Sequence, residues 1–409
     1  MLPISADRLN VATNRRTFLK GVGGLAATAT ANPLAFGKDQ YISIGVVGGG
    51  IVGASVAMHL SGMGAHVTLF EKTAPASGAT SKSFAWINAF TSDPHYRALR
   101  LKSINAYQEL NRQLNLNITW GGAIHWATTL AESEIMKASA AEFGQAGYDA
   151  RIVDVDELAA LSPNLRLGPF KSAMFNALDG HMDPVFVTKK MLDAARQQGA
   201  SIVHPCEVTK LYFETGRFTG VSTTAGEYRL DRLVIAGGVD TPALAGQAGY
   251  TPPLKHSPGI LLHTRPTSSV LGRVVESPHT YFKQFPDGRI IGNDGYYAPD
   301  IPVHQDILKG PRDMPEEIRA LHGERILGKI KQKLPRAIEA AYDHLTLGYR
   351  PMPQDRLPIV GFAPGNPDVY VAVMHSGVTL AAIMGRYISH ELMNKELIDE
   401  LAPYRPERF

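Results

Sequence analysis

The chain has 409 residues, 44% of them apolar, and its 41 Lys and Arg exceed its 38 Asp and Glu by three. That length accommodates two domains with a well-buried core, and the near-neutral charge leaves no basic surplus to favour nucleic acid. The one cysteine, Cys206, rules out an intramolecular disulfide and a multi-cysteine metal site.

Cys206 lies in the apolar run IVHPCEV and reads as a core residue. The 14 histidines include no pair at the i, i+4 spacing of a helical zinc motif with its glutamate, so no metal is expected.

In chain order, Asn14-Arg15-Arg16-Thr17-Phe18-Leu19-Lys20 is a twin-arginine signature. It runs into a Gly/Ala/Thr-rich stretch, Gly21 to Ala31, with Ala29-x-Ala31 as a candidate cleavage site. That stretch is too short for a bilayer-spanning helix. We read residues 1–40 as an export signal and linker, which predicts a periplasmic protein exported already folded, with peripheral membrane association left open. The alternative is an ordinary leader on a cytoplasmic protein. Arg8, Arg15, Arg16 and Lys20 against Asp7 give residues 1–31 a net charge of +3, equal to that of the whole chain.

Tyr41 to Glu71 reads as strand, glycine turn, helix, strand and acid. Gly48, Gly50 and Gly53 stand at G-x-G-x-x-G spacing after a β-branched run, serving in turn the tight turn, the approach to a pyrophosphate and the close packing of helix on sheet. Ile51 and Val52 open the helix, whose free N–H groups would face the phosphates. Glu71 closes the second strand, where a carboxylate can accept from both ribose hydroxyls. An acid there, with no arginine following, argues against a 2'-phosphate and leaves NAD or FAD.

The loop from Thr73 to Trp86 begins small and polar, and could extend the phosphate site toward a ring system. An amphipathic helix from about Tyr96 to Leu114, a strand-like Ile118 to Thr128 and a helix from about Ala131 to Gly147 leave the nucleotide pattern. The turn Asp179 to Pro184 resumes it, followed by a helix (Val185 to Gln198), a strand (Ser201 to Val208), a hairpin (Lys210 to Thr224) and a buried strand ending in Ala236-Gly237-Gly238. Pro-rich strands and a charged helix, Pro315 to Lys333, fill Thr251 to about Leu345, the charges reading as a solvated face. Finally Arg350-Pro351 leads to the strand Val369 to Val373, and His375-Ser376-Gly377-Val378-Thr379 opens a second helix whose N-terminus suits a group that becomes anionic. The expected fold is α/β, α+β overall. A discontinuous Rossmann-type domain (41–95, 171–250 and 346–409) carries the parallel sheet, and a mixed antiparallel-sheet substrate domain takes 96–170 and 251–345.

With these motifs in this order, the chain resembles the D-amino acid oxidase superfamily of flavoenzymes, in the glycine oxidase, sarcosine oxidase and D-amino acid dehydrogenase branch, over nearly all of Tyr41 to Asn394. The resemblance implies FAD. It places Gly48, Gly50, Gly53, Glu71 and Lys72 at the ADP half, and Thr80, Ser81, Phe84, Ala85 and Trp86 along the pyrophosphate and flavin edge. Val208 would present its backbone near the adenine, Ala236 and Gly237 would touch the dinucleotide, and His375 to Thr379 would point N–H groups at the flavin pyrimidine. Arg350 matches the arginine that clamps the substrate carboxylate, a role that suits a bidentate guanidinium. Met374 stands where many relatives have Gly, and Lys82 where several have Arg. No cysteine lies between Arg350 and Thr379, so the flavin is expected to be noncovalent.

The chemistry so implied is hydride removal from the carbon bearing the amine of a small amino acid or secondary amine with a carboxylate, with Tyr281 and His375 as further pocket contacts. Oxygen or a quinone or other carrier would take the electrons. A flavin enzyme for 2-hydroxy acids, and a flavin-bearing partner or assembly subunit without its own substrate, are the alternatives.

Overall fold

The β-branched run Ser43–Val47 becomes a strand flanked on both sides by parallel neighbours, with Ile44 opposite Val67 on one side and Arg232 on the other. In the computed structural model, residues 41–277, 280–294 and 314–409 are described, and the export signal read at residues 1–40 lies outside them. A parallel strand buried on both faces should be continuously apolar, and Ile44, Val46, Leu233, Val234, Ile235, Val369 and Val371 are buried accordingly.

The resulting six-stranded sheet runs 359–363, 366–373, 232–235, 43–47, 66–70, 201–203. All its neighbours are parallel except 359–363, which pairs antiparallel at the edge. Helix Ile51–Gly62 follows the first strand, and helix Gly377–Asn394 follows 366–373. The two helices lie against each other so tightly that a Cβ built on Gly385 would come 2.1 Å from Ser55 Oγ. Ser55 Oγ donates to the Ala381 carbonyl at 2.7 Å across the same contact. Two helix N-termini are thereby held side by side. Helix Pro184–Gln197 also packs on Ile51–Gly62; Asp183 caps it by accepting from Val185 N and Phe186 N, and Pro184 begins it.

A second, eight-stranded sheet runs 342–349, 258–264, 290–293, 280–284, 274–277, 123–127, 172–176, 150–153. Its pairings are antiparallel apart from 274–277 with 123–127. Helix Glu316–Lys333 buries Ile326, Leu327 and Ile330 against Val275, Phe282 and Ile290 of that sheet, so this charged helix also carries an apolar stripe. The mixed α/β architecture with one parallel and one mostly antiparallel sheet is the fold class read from the sequence.

Two segments cross the boundaries drawn from the sequence. Helix Pro94–Leu114, grouped there with the substrate domain, lies on helix Gly377–Asn394, where Ser103 Oγ donates to Thr379 O and Tyr107 OH to Val378 O, both at 2.6 Å. Strand Ser172–Asn176, grouped with the nucleotide domain, belongs to the eight-stranded sheet.

Candidate active site

One cavity of about 1000 Å³ runs from the glycine turn to Arg350. At its first end the wall is backbone. Gly48 sits at φ +106, and a Cβ there would lie 2.4 Å from the Ala236 carbonyl. A Cβ on Gly53 would lie 2.0 Å from Gly48 O, so neither position admits a side chain. Gly50, Ile51 and Val52 line the cavity at the helix N-terminus, and Thr80 Oγ1 accepts from Ile51 N at 3.1 Å. Glu71 is oriented by Gly49 N at 2.7 Å on one oxygen and Thr73 N at 2.9 Å on the other. A carboxylate offers about four acceptor sites, so lone pairs remain for a ligand. Val208, Ala236, Gly237 and the buried Cys206 complete this end. Lys72 reaches the cavity rim, where it pairs with Asp240 at 2.7 Å with both side chains about half exposed.

At the other end side chains dominate. Ser376, Gly377, Val378 and Thr379 present the N-terminus of the carboxy-terminal helix, whose first N–H groups have no intrahelical acceptor. Thr379 Oγ1 ties this turn to Trp86 O at 3.0 Å, and Phe84, Ala85 and Trp86 form the adjoining wall. Ala85 has φ +52, a conformation held by the fully buried Lys283, whose ammonium donates to Ala85 O at 3.0 Å and Met182 O at 3.1 Å. Burial pushes the Lys283 pKa well below the ordinary value.

Arg350 opens on the cavity and donates through Nη2 to Pro258 O at 3.2 Å. Tyr281 lines the same end from the eight-stranded sheet. Opposite it on the neighbouring strand, Glu276 is mostly buried, with Oε2 2.9 Å from His125 Nδ1. Burial works to raise the Glu276 pKa, but His125 and the Tyr281 hydroxyl hold it below the ordinary value. His375 is exposed to the cavity; desolvation by the walls around it, and then Arg350, Arg100 and Arg356, lower its pKa to about 4. It is therefore neutral over the physiological range.

Residues 43–391 match the family described as FAD dependent oxidoreductase, DAO. The chain belongs to that family. It is similar to the mitochondrial dimethylglycine dehydrogenase of Homo sapiens, 25% identical over an alignment of 389 positions that covers 91% of this chain and 45% of the human one. It thus spans about half the length of that relative. Glycine oxidase of Bacillus licheniformis is 24% identical, with 91% of this chain and 98% of that one covered. Among solved structures, L-proline dehydrogenase from P. horikoshii shares the fold with a TM-score of 0.79 at 22% identity, covering 90% of this chain and 98% of that one.

The cavity suits the dinucleotide for which that family is named. Glycines that no Cβ could replace line the turn, an oriented carboxylate sits at the end of the second strand, and two helix N-termini open on one space. Of the residues read from the sequence, Gly53 and Ser81 do not line the cavity. Gly53 packs on Gly48 O, and Ser81 Oγ donates to the carbonyls of Ser77 and Gly78 within its own turn. The reading missed Asn88, Phe90, Tyr96, Arg100, Asn293 and Arg356, all of which line the cavity. Among the described residues no cluster of His, Cys, Asp or Glu is arranged to hold a metal, and no helix is long and apolar enough to cross a membrane.

Proposed function

We propose that the protein oxidises the C–N bond of a small amine that carries a carboxylate, giving an imine that water hydrolyses. The observation that carries this reading is the single cavity joining the dinucleotide turn to Arg350, Tyr281 and His375. Relatives named for glycine and dimethylglycine oxidation, both amines with a carboxylate, support it.

Glu71 and the turn Gly48 to Val52 would hold the ADP half of FAD, and Phe84 to Trp86 with Ser376 to Thr379 would hold its ring. When bound, FAD supplies the hydride acceptor. The protein's part is to bind and orient. Arg350 offers a fixed positive fork for the substrate carboxylate, and that anchor sets which C–H bond meets the ring. His375, neutral above about pH 4, presents hydrogen-bonding nitrogens without a charge that would repel an ammonium. The unpaired N–H groups at Gly377 to Thr379 favour negative charge on whatever lies against them. The Tyr281 hydroxyl donates its proton to the ionised Glu276, which leaves its oxygen free to accept from an N–H of the amine. Electrons would then pass to oxygen or to a quinone-type carrier, two routes that peroxide yield per turnover tells apart.

Arg350→Ala tests the reading. It should retain its flavin and lose roughly tens- to thousands-fold in kcat/KM, the equivalent of about 2–5 kcal/mol for a buried charge left without its partner. An unchanged kcat/KM would remove Arg350 from the site.

A further inference from the structure

Helix Pro94–Leu114 buries a stripe of Tyr96, Leu99, Ser103, Tyr107 and Leu110, and two arginines share its buried side. Their surroundings differ. Arg97 is only 2% exposed and fully engaged, with Thr91 O at 2.8 and 3.1 Å and the Glu142 carboxylate at 2.7 Å. Arg100 is 8% exposed, lines the cavity and meets no carboxylate among the described residues. Its Nη1 donates to Phe90 O at 3.2 Å, its guanidinium lies 5.2 Å from the Tyr96 ring centroid, and its Nε has no hydrogen-bond partner.

The acid in whose field Arg100 lies is Asp179, but Asp179 spends its oxygens on Tyr148 OH and Trp86 Nε1. The acids that line the cavity do not serve it either. Glu71, Glu207 and Asp240 belong to the ADP end, and Asp294 is engaged by Arg325 and by Lys329 at 3.0 Å. Arg100, Arg350 and Arg356 all act on His375, so three guanidiniums gather at the end of the cavity where Arg350 already suffices for one carboxylate. A buried cation lacking a counter-ion is costly unless a ligand brings one.

We propose that Arg100 is a second carboxylate anchor, and that the substrate is an amine bearing two carboxylates, one held by Arg350 and the other by Arg100. Such a substrate is an amino dicarboxylic acid or an N-carboxyalkyl amino acid. This rests on the amine-oxidising reading above and names the substrate class of that site.

The test uses the flavin-loaded protein with two sets of probes. Non-reacting acids are titrated against the flavin absorbance: succinate and glutarate should bind roughly tenfold or more tightly than acetate. Turnover is then compared for glycine and N-methylglycine against glutamate and N-(carboxymethyl)glycine, with the dicarboxylates expected to have the higher kcat/KM. Arg100→Gln should remove this selectivity, raising KM for dicarboxylates by roughly tenfold or more over whatever change it makes to KM for glycine and N-methylglycine. Arg100→Lys should restore part of it.

Equal binding of succinate and acetate by the unmodified protein overturns the proposal, and so does an Arg100→Gln variant that keeps its flavin and loses both substrate sets equally, which marks a merely structural arginine. If Arg100→Gln does not fold, the selectivity of the unmodified protein decides. If no amine is turned over, the amine-oxidising reading fails by itself, and the succinate-to-acetate ratio still reports on the anchor.

Discussion

At the glycine-turn end of the cavity, Gly48, Gly50 and Ile51 offer mostly backbone, with the Glu71 carboxylate and the segments at Val208 and Ala236–Gly237 beside them. At the substrate end, Arg100, Tyr281, Arg350 and His375 come from four separate segments and both sheet layers, and the surface is side chain. A wall of backbone has no freedom to change, because its geometry is the fold itself. A wall of side chains on a fixed frame can be altered one residue at a time, which lets one fold serve many substrates.

The comparison breaks or sharpens first at Gly48. Gly48→Val forces a branched side chain into φ +106 with its Cβ 2.4 Å from Ala236 O. A cost of about 3 kcal/mol or more is expected, seen as loss of flavin absorbance per mole of purified protein. A variant with full flavin content would show that this wall is softer than its geometry. Arg350→Ala, by contrast, should keep the flavin and lose turnover, as set out above.

The middle-sized effect is on pH. His59 and His263 are held neutral in the fold by burial, each with its pKa lowered to about 4. Each takes up a proton on unfolding below its ordinary 6.5, so their contribution to stability is complete above about pH 6.5 and is lost as pH falls toward 4. Asp179, pushed up to about 7 by burial, acts oppositely: it is protonated in the fold, and its contribution fades as pH rises through 7. Between pH 4 and 6.5 His59 and His263, joined by His181 and His322 whose pKa values burial also lowers, outnumber the one acid, a net positive slope of about 1.4 kcal/mol per pH unit or more. Thermal unfolding of the holoprotein should show Tm rising with pH across that window, and a Tm that falls instead would contradict the burial of these rings.

The smallest effect is expected at Lys72. It sits at the ADP end but spends its charge on Asp240, with both side chains about half exposed. Such a pair contributes about 1 kcal/mol at most, so Lys72→Ala should change the FAD dissociation constant only a few-fold. A large loss would give that end a side-chain contact the backbone account does not need.

The same contrast explains what could be read from the chain. Gly48 to Glu71 was legible because strand, turn, helix and acid are local and their spacing is fixed by the chemistry of a dinucleotide. The buried strand ending in Ala236-Gly237-Gly238 and the strand Val369 to Val373 were legible from their apolar runs, though the second begins earlier, through the polar Asn366-Pro367-Asp368. Arg100 was not, because amphipathicity shows which face of a helix is buried but not what it is buried against. The available signal was an arginine four residues after Tyr96 on the apolar stripe. Lys283 was missed for a similar reason. Strand alternation puts Tyr281, Lys283 and Phe285 on one face, but only the fold brings that face under the Ala85 carbonyl. Helix Pro94–Leu114 lies on helix Gly377–Asn394, far along the chain, and no local pattern announces that contact.

The most direct test of the central claim is anaerobic titration of the purified, flavin-loaded protein with amino acids, N-alkyl amino acids, cyclic imino acids and 2-hydroxy acids, followed by absorbance. The account predicts bleaching of the oxidised flavin by at least one carboxylate-bearing amine, with release of the matching keto acid or aldehyde. Bleaching by 2-hydroxy acids alone, or by none of these compounds, would contradict it.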